Sequence, residues 1–565
     1  MRKTVFLVLT VFFVTASFAQ NSRRASQKES SSASAHLPPA AIAALQKIDP
    51  EHIRANVRFL SHDLLEGRGT GQRGGDIAAE YIATQFWLYG LKPAGDNGTF
   101  FQNVPMVGIT PSPETSFELV PRHGEAMQLK PLEDYVSYDQ TEHATDDIDS
   151  EIVYVGYGIE APEYQWDDYK GVDVRGKVLL MLVNEPSSDD PKFFKGPALT
   201  YYGRWTYKYE EAARKGAVGV ILIHKADMAS YPWEVVRNSN SGEKEFLKGD
   251  APQLKAAGWI QLEVARQLAQ KSGIDLDKMM MEANTRNFRP VPLPAKLKAH
   301  MVSKIRQISS RNVLAMLPGS DPKLKNEAVV YSAHYDHLGI RPDMPGDNIY
   351  NGARDNATGC GILLELARVY AQAQSKPRRS VIFASVTAEE QGLLGSEYFG
   401  KHPPIPAGKI SLDLNFDDVP PLGEPEEVEV SGAERTTFYP TVEAMAKEFR
   451  LAIRPDSHPE AGHYYRSDHF SMARVGVPAF SINEGMKYNG HNTQWGIEQA
   501  EEYTNKHYHQ PSDEYSPSMD FRADATMARF GFALGWAAAS QPKLQGWQKG
   551  DEFEKTRLQS EDATH

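Results

Sequence analysis

Cysteine is almost absent from this chain of 565 residues: Cys360 is the only one, so no intramolecular disulfide can form. It sits in the apolar run Gly359-Cys360-Gly361-Ile362-Leu363-Leu364, where a thiol packs as a small hydrophobe, which argues against a cysteine nucleophile. An excess of basic residues is also missing. Lys and Arg number 61 against 74 Asp and Glu, a net charge of −13, and a nucleic-acid partner is not expected without a basic face. Long apolar runs are lacking too. The longest, residues 5–18, falls short of the roughly 20 residues that a spanning helix needs. It follows Arg2 and Lys3 and closes on Ser17-Phe18-Ala19, the pattern of a cleaved secretory signal over residues 1–19. The expectation is an exported protein, periplasmic or secreted, without stable membrane insertion after cleavage.

What is present falls into blocks. Residues 20–39 begin with a polar, Ser-rich stretch without periodicity, a flexible leader. Residues 51–91 carry apolar residues at helical spacing on both sides of Glu66-Gly67-Arg68-Gly69-Thr70-Gly71, predicting two helices joined by a glycine loop. Between about 140 and 290, strand-like runs at 152–155, 178–183 and 218–223 surround a helical stretch at 209–215 and predict a compact β-rich module. From 311 to 540 strands at 328–333, 380–387, 409–414 and 479–482 alternate with helices at 357–373, from 392, and at 523–539. This rhythm predicts an α/β fold, a mostly parallel sheet with helices on both faces. The charged residues 541–565 read as a loosely held tail.

Ligands of such sheets bind beyond the carboxyl ends of the strands, and that is where the polar residues gather. His334-Tyr335-Asp336-His337 follows one strand, Thr387-Ala388-Glu389-Glu390 the next, and Asp413 a third; Asp355 precedes a helix and His509 lies in a late loop. Imidazoles and carboxylates converging on one sheet edge repel one another unless cations are present. Neutral imidazole with carboxylate oxygen is the ligand set of hydrolytic zinc sites, in which one carboxylate can bridge two ions about 3.5–4 Å apart.

The motifs HYDHLG, NGARDNATG, TAEEQGLLGS, SLDL and YHQPSD, in this order, resemble the co-catalytic zinc peptidases that include bacterial leucyl aminopeptidase and aminopeptidase Y. The pieces Asp168-Tyr169-Lys170-Gly171-Val172, Arg175-Gly176-Lys177-Val178 and Ala212-Ala213-Arg214-Lys215-Gly216-Ala217 resemble a protease-associated domain. The resemblance implies a zinc exopeptidase fold over residues 40–135 and 295–540, interrupted by that module at 136–294. It implies two Zn2+ ions bridged by Asp355, with His334 and Asp413 on one and Glu390 and His509 on the other. Glu389 is then the general base, and Asp336 the carboxylate that orients His334. The implied activity is hydrolysis of peptide substrates from the N-terminus.

Some residues and functions stay open at this level. His337 could be a ligand or line the cleft, His469 in Ser467-Asp468-His469 matches a cleft segment without being a ligand, and His491 has only proximity. Arg354 stands where an acidic residue often precedes the bridging Asp. A carboxypeptidase or glutaminyl cyclase of the same fold, an endopeptidase and a non-catalytic binding relative are the alternatives. A carboxypeptidase needs a cationic pocket for the substrate carboxylate, and the sequence assigns no Arg cluster to one; Arg354 and the loop around Arg466 need a structure to be judged.

Overall fold

The computed structural model describes residues 37–564 apart from 191, 251, 343, 457 and 458; the expected signal segment and nearly all of the leader lie outside the described residues. The paired helices form at Pro50–Leu60 and Arg73–Leu88. The first starts where Pro50 can occupy the opening turn, and the Asp49 side chain accepts the Glu51 amide, satisfying a donor that no helical carbonyl can reach. Between the helices runs the turn Asp63–Arg68.

A first sheet orders its strands Ala479–Ser481, Ile410–Asn415, Ala328–His334, Ser380–Val386 and Val291–Leu317. The first four are parallel, and Val291–Leu317 closes this side antiparallel to Ser380–Val386. Side chains alternate between two apolar layers. Val329, Tyr331 and Ala333 join the core beneath the helices Gly359–Ala371 and Arg522–Ser540. Val330, Ile382 and Ala384 face Phe399 and Met472 on the other side. Both faces are thus covered, which is why these strands read as unbroken apolar runs. Tyr331 donates its hydroxyl to the Gly531 carbonyl at 2.9 Å, an approach that Gly535 permits, because a Cβ there would sit 1.9 Å from the Tyr331 hydroxyl.

The β-rich module is a second sheet, Thr145–Tyr154, Val178–Leu182, Gly219–His224, Ala256–Gln261 and Tyr135–Tyr138 in spatial order. One long strand joins the two sheets. Residues 291–302 of Val291–Leu317 pair with Thr145–Tyr154, and residues 303–313 pair with Phe101–Pro111. The division expected at 136 and 294 differs from this pairing. Ser116–Pro121 already pairs with residues 295–300 in the second sheet, so the layer starts ahead of 136 and runs past 294. Periodicity cannot reveal such a boundary, since a single strand serves both layers without a break.

Residues 541–564 are not a loose tail. Trp547 is buried and donates to the Gly476 carbonyl at 3.0 Å, and the helix Glu554–Asp562 buries Arg557, whose guanidinium donates to the Ile410 carbonyl at 2.9 Å. Charged residues mark a tail only when they stay hydrated, and this arginine finds carbonyls instead.

Candidate metal centre

His334 is the last residue of Ala328–His334. Its Nε2 lies 3.4 Å from Asp355 Oδ1 and 3.0 Å from Asp417 Oδ1. The other oxygen of Asp355 lies 3.2 Å from His509 Nε2, which is also 3.1 Å from Glu390 Oε2. Asp355 therefore stands between two groups of donors, His334 with Asp417 and His509 with Glu390. His337 adds Nδ1 at 2.6 Å from Glu390 Oε1. Glu389 Oε2 faces His334 at 4.0 Å.

Five of the predicted residues, His334, Asp355, Glu389, Glu390 and His509, thus come together, with Asp336 directly behind them. Asp413 does not, and its predicted role needs correction. It pairs with Val330 and Ala479 inside the sheet, and its Oδ1 accepts from the Ser332 hydroxyl at 3.0 Å. Asp417 lies four positions later, just beyond the end of Ile410–Asn415, or roughly 13 Å of extended chain. The strand must end before a side chain can reach the crevice. The signal was present in Asn415-Phe416-Asp417-Asp418, but the apolar pattern alone placed the strand end one residue too early.

Several supports surround the centre, and of these only Asp336 was legible. Arg68, fully buried in the glycine loop, donates to the carbonyls of Leu60, Tyr335, Asn351 and Gly352, tying the His334 segment to the Asp355 segment. Gly352 has φ +57°, and a Cβ on it would meet Asp355 O at 2.3 Å and the His337 ring at 2.6 Å. Asp513 of the late motif accepts from the Arg354 and Asp355 amides at 3.0 and 3.1 Å. Asp336 is buried and takes the Glu389 amide at 3.1 Å, the Glu390 amide at 3.4 Å and the Thr70 hydroxyl at 3.3 Å. Its carboxylate lies 3.8 Å from His334 Nδ1, which meets the Asp336 backbone carbonyl at 3.2 Å, so the carboxylate holds the paired glutamates and the carbonyl faces the imidazole. Ser467 donates to Asp417 Oδ2 at 2.5 Å.

Other candidates are occupied. Arg354 pairs with Asp418 at 2.6 Å and lies 3.8 Å over the Tyr503 ring, so its charge is already compensated. His469 packs edge-on to Tyr464, where burial pulls its imidazole down to about 3. His491 stacks on Trp495 at 3.8 Å.

Burial works against every charge here, and the neighbours decide the outcome. For His334 burial is outweighed by Asp417 and then Glu389, which hold the imidazolium well above its ordinary range. For His509 the carboxylates, Glu390 first, have the same effect. Burial also opposes Glu390, yet His509 and His337 bring its carboxyl down to about 2. Glu389 is raised far above the carboxylate range by burial, and burial lifts Asp336 to about 6 and Asp413 to about 8.

The donor atoms fit zinc. His334, Asp355 and Asp417 present atoms within 4.8 Å of one another, as do His337, Asp355 and Glu390. Imidazole nitrogen and carboxylate oxygen are the set that divalent zinc takes, and Asp355 belongs to both groups.

Residues 312–531 match the model of peptidase family M28. Leupeptin-inactivating enzyme 1 of Streptomyces exfoliatus is 27% identical over 251 residues, 43% of this chain and 51% of that protein. A probable zinc metalloprotease of Pyrenophora teres f. teres is 30% identical over 172 residues, 29% of this chain and 30% of that protein. The chain thus spans about half, or less, of the length of these curated relatives. Among solved structures, an aminopeptidase from Aneurinibacillus sp. strain AM-1 has a TM-score of 0.50 at 19% identity, covering 88% of this chain and 96% of that one. At that identity the likeness is one of fold.

Proposed function

We propose that this chain, whose residues 312–531 belong to peptidase family M28, is an exported two-zinc aminopeptidase. The carrying observation is Asp355, whose two oxygens face the imidazoles of two separate donor groups, 3.4 Å and 3.2 Å away. His334 and Asp417 would hold one ion and Glu390 and His509 the other, with Asp355 shared between the two groups. His337, on the remaining oxygen of Glu390, fixes that carboxylate. When bound, zinc supplies Lewis acidity toward the scissile carbonyl and toward water.

The chain's own groups do the rest. Glu389 is not used as a ligand and stands beside the bridge, so it takes the proton of the attacking water and returns it to the leaving amine. A positioned carboxyl serves such a proton exchange from the place where Glu389 stands, 4.0 Å from His334. Asp336 faces the His334 imidazole with its backbone carbonyl and holds the Glu389-Glu390 turn through two amides. The acidic cleft attracts a substrate α-ammonium group, which favours cleavage next to a free N-terminus. Export rests on the residues 1–19 pattern, and the second sheet is read as a protease-associated module.

Metal analysis should find close to two zinc ions per chain, with activity and thermal stability both falling on chelation, because the metal binds only the folded form. Peptides with a free amino group should be cleaved, and their N-acetylated forms largely refused. Absence of zinc after reconstitution would defeat the centre, whereas equal turnover of blocked and free peptides would defeat the aminopeptidase assignment.

A further inference from the structure

Next to the Asp417 donor, Glu427–Glu429 pairs antiparallel with Asn483–Glu484, and Glu429 stands opposite Asn483. Opposed residues of such a pair put their side chains on one face, with Cβ atoms about 4.5–5.5 Å apart. Asn483 uses that face to donate its Nδ2 to the Asp417 carbonyl at 2.9 Å, and its Oδ1 is buried without a hydrogen-bond partner among the described residues. Glu429 is half-buried and borders a cavity of about 580 Å³, a volume within the roughly 300–1,000 Å³ of small-ligand sites. Leu199, Val430, Ile453 and Tyr464 supply apolar wall, and Asp456 and His463 line it as polar groups.

The charge of this cavity is one-sided. Its cations are engaged by carboxylates outside its walls: Arg435 by Asp551 and Glu552 at 2.8 and 2.6 Å, Lys195 by Glu552 at 3.3 Å, and Arg454 by Glu427 at 3.7 Å. Arg454 is the register neighbour of Glu429 on Ala452–Arg454 and still turns to Glu427. Asp456 lies 3.6 Å from His463. Among the described residues the Glu429 carboxylate forms no ion pair or hydrogen bond, and Glu434 and Glu443 on the same walls form none either. Burial, and after it Asp456, lifts the Glu429 carboxyl to about 7. Such a group stays charged at a cost that a cation beside it removes.

We infer that this cavity receives the side chain of a substrate's first residue and selects lysine or arginine there, with Glu429 as the group that meets the cation. The inference rests on the aminopeptidase reading and narrows it to a substrate class. The cavity and the metal centre share Asp417. Its Oδ1 faces His334 at 3.0 Å, its Oδ2 accepts from Ser467 at 2.5 Å, and its carbonyl is held by Asn483, the residue opposite Glu429. Tyr464 and Tyr465 of the cavity wall lead through Arg466 directly to Ser467. A peptide with its α-ammonium among the carboxylates of the centre therefore has Glu429 within reach of a long side chain. Lysine and arginine lay their methylene stems on apolar walls and keep the charge at the tip. The second sheet's layer closes the cavity through Lys195, Ala198 and Leu199, where the Leu199 amide donates to the Pro459 carbonyl at 2.9 Å. That layer thereby takes part in selecting the substrate.

The test compares kcat/KM of the zinc-loaded full chain on lysine p-nitroanilide and on norleucine p-nitroanilide, which keeps the aliphatic stem and lacks the ammonium group. Lysine should lead by about 10-fold or more, the worth of a charge-assisted contact, and Glu429→Gln should bring the ratio close to one. Glu429→Asp, which keeps the charge on a shorter stem, should retain part of the preference and guards against a folding defect. Norleucine equal to lysine or ahead of it overturns the inference and leaves the aminopeptidase reading standing. A lysine preference that survives Glu429→Gln, or an equal loss on both substrates in both variants, overturns it as well. Calorimetric titration with lysinamide and norleucinamide reads the same selectivity without turnover. Selective binding that depends on Glu429, with neither anilide hydrolysed, counts against the aminopeptidase reading while supporting the cavity's preference for a cation.

Discussion

In the second sheet's layer Lys208 is wholly buried, donates to the Tyr202 carbonyl at 2.7 Å and is drawn by Asp168 and Glu185. Asp168 in turn accepts from the Ile159 amide at 3.0 Å and the Trp166 indole at 2.8 Å, and Glu185 accepts from the Thr200 amide at 2.8 Å. In the first sheet's layer the buried charges crowd one edge. His334, Asp355, Glu389, Glu390, Asp417 and His509 compensate one another only in part, and they meet beyond the strand ends rather than inside a packed layer. Internally closed charge specifies architecture, and charge left open at a strand edge is available to a cation and a substrate.

This contrast can be sharpened or broken by substitution. The largest effect is expected from Glu389→Gln. A positioned base contributes about 10²–10⁴-fold, so kcat should fall by that factor while zinc content and melting temperature hold; loss of zinc instead would show Glu389 to be a ligand. Next comes the pair Asp417→Asn and Asp413→Asn. The first should weaken binding of one zinc by about 100-fold or more, read by metal competition, since even supporting residues are worth 10–100-fold. The second should leave both ions bound, because Asp413 lies within the sheet on Ser332. Reversed outcomes would reinstate Asp413. The smallest functional effect is expected from Lys208→Met, which leaves the Tyr202 carbonyl without its donor. It should lower the unfolding free energy by about 1–3 kcal/mol, measured by denaturant titration, with zinc stoichiometry unaltered. Loss of zinc in that variant would break the separation between the two layers.

Much of this was readable in the chain. The fully buried strands appear as apolar runs, and His334, Glu389 and Glu390 follow them directly, so the sheet and half of the centre were legible together. The glycine loop at 66–71 was seen as a break between helices, but not that Arg68 within it would bind four carbonyls from three separate segments. Those acceptors are distant in sequence, and no local pattern encodes their approach.

The sequence by itself determined the alternation of strand and helix, the chemistry of the donor set and the absence of disulfide chemistry, because these depend on side-chain type and short-range period. Only the tertiary structure decided that Asp417 rather than Asp413 meets His334, that one strand serves two sheets, and that the last residues pack down. Each of these depends on where a strand stops or which layer lies alongside, and pairing with distant neighbours sets both. A side chain's chemistry is local, whereas its reach is fixed by hydrogen bonds and packing contributed by other parts of the chain.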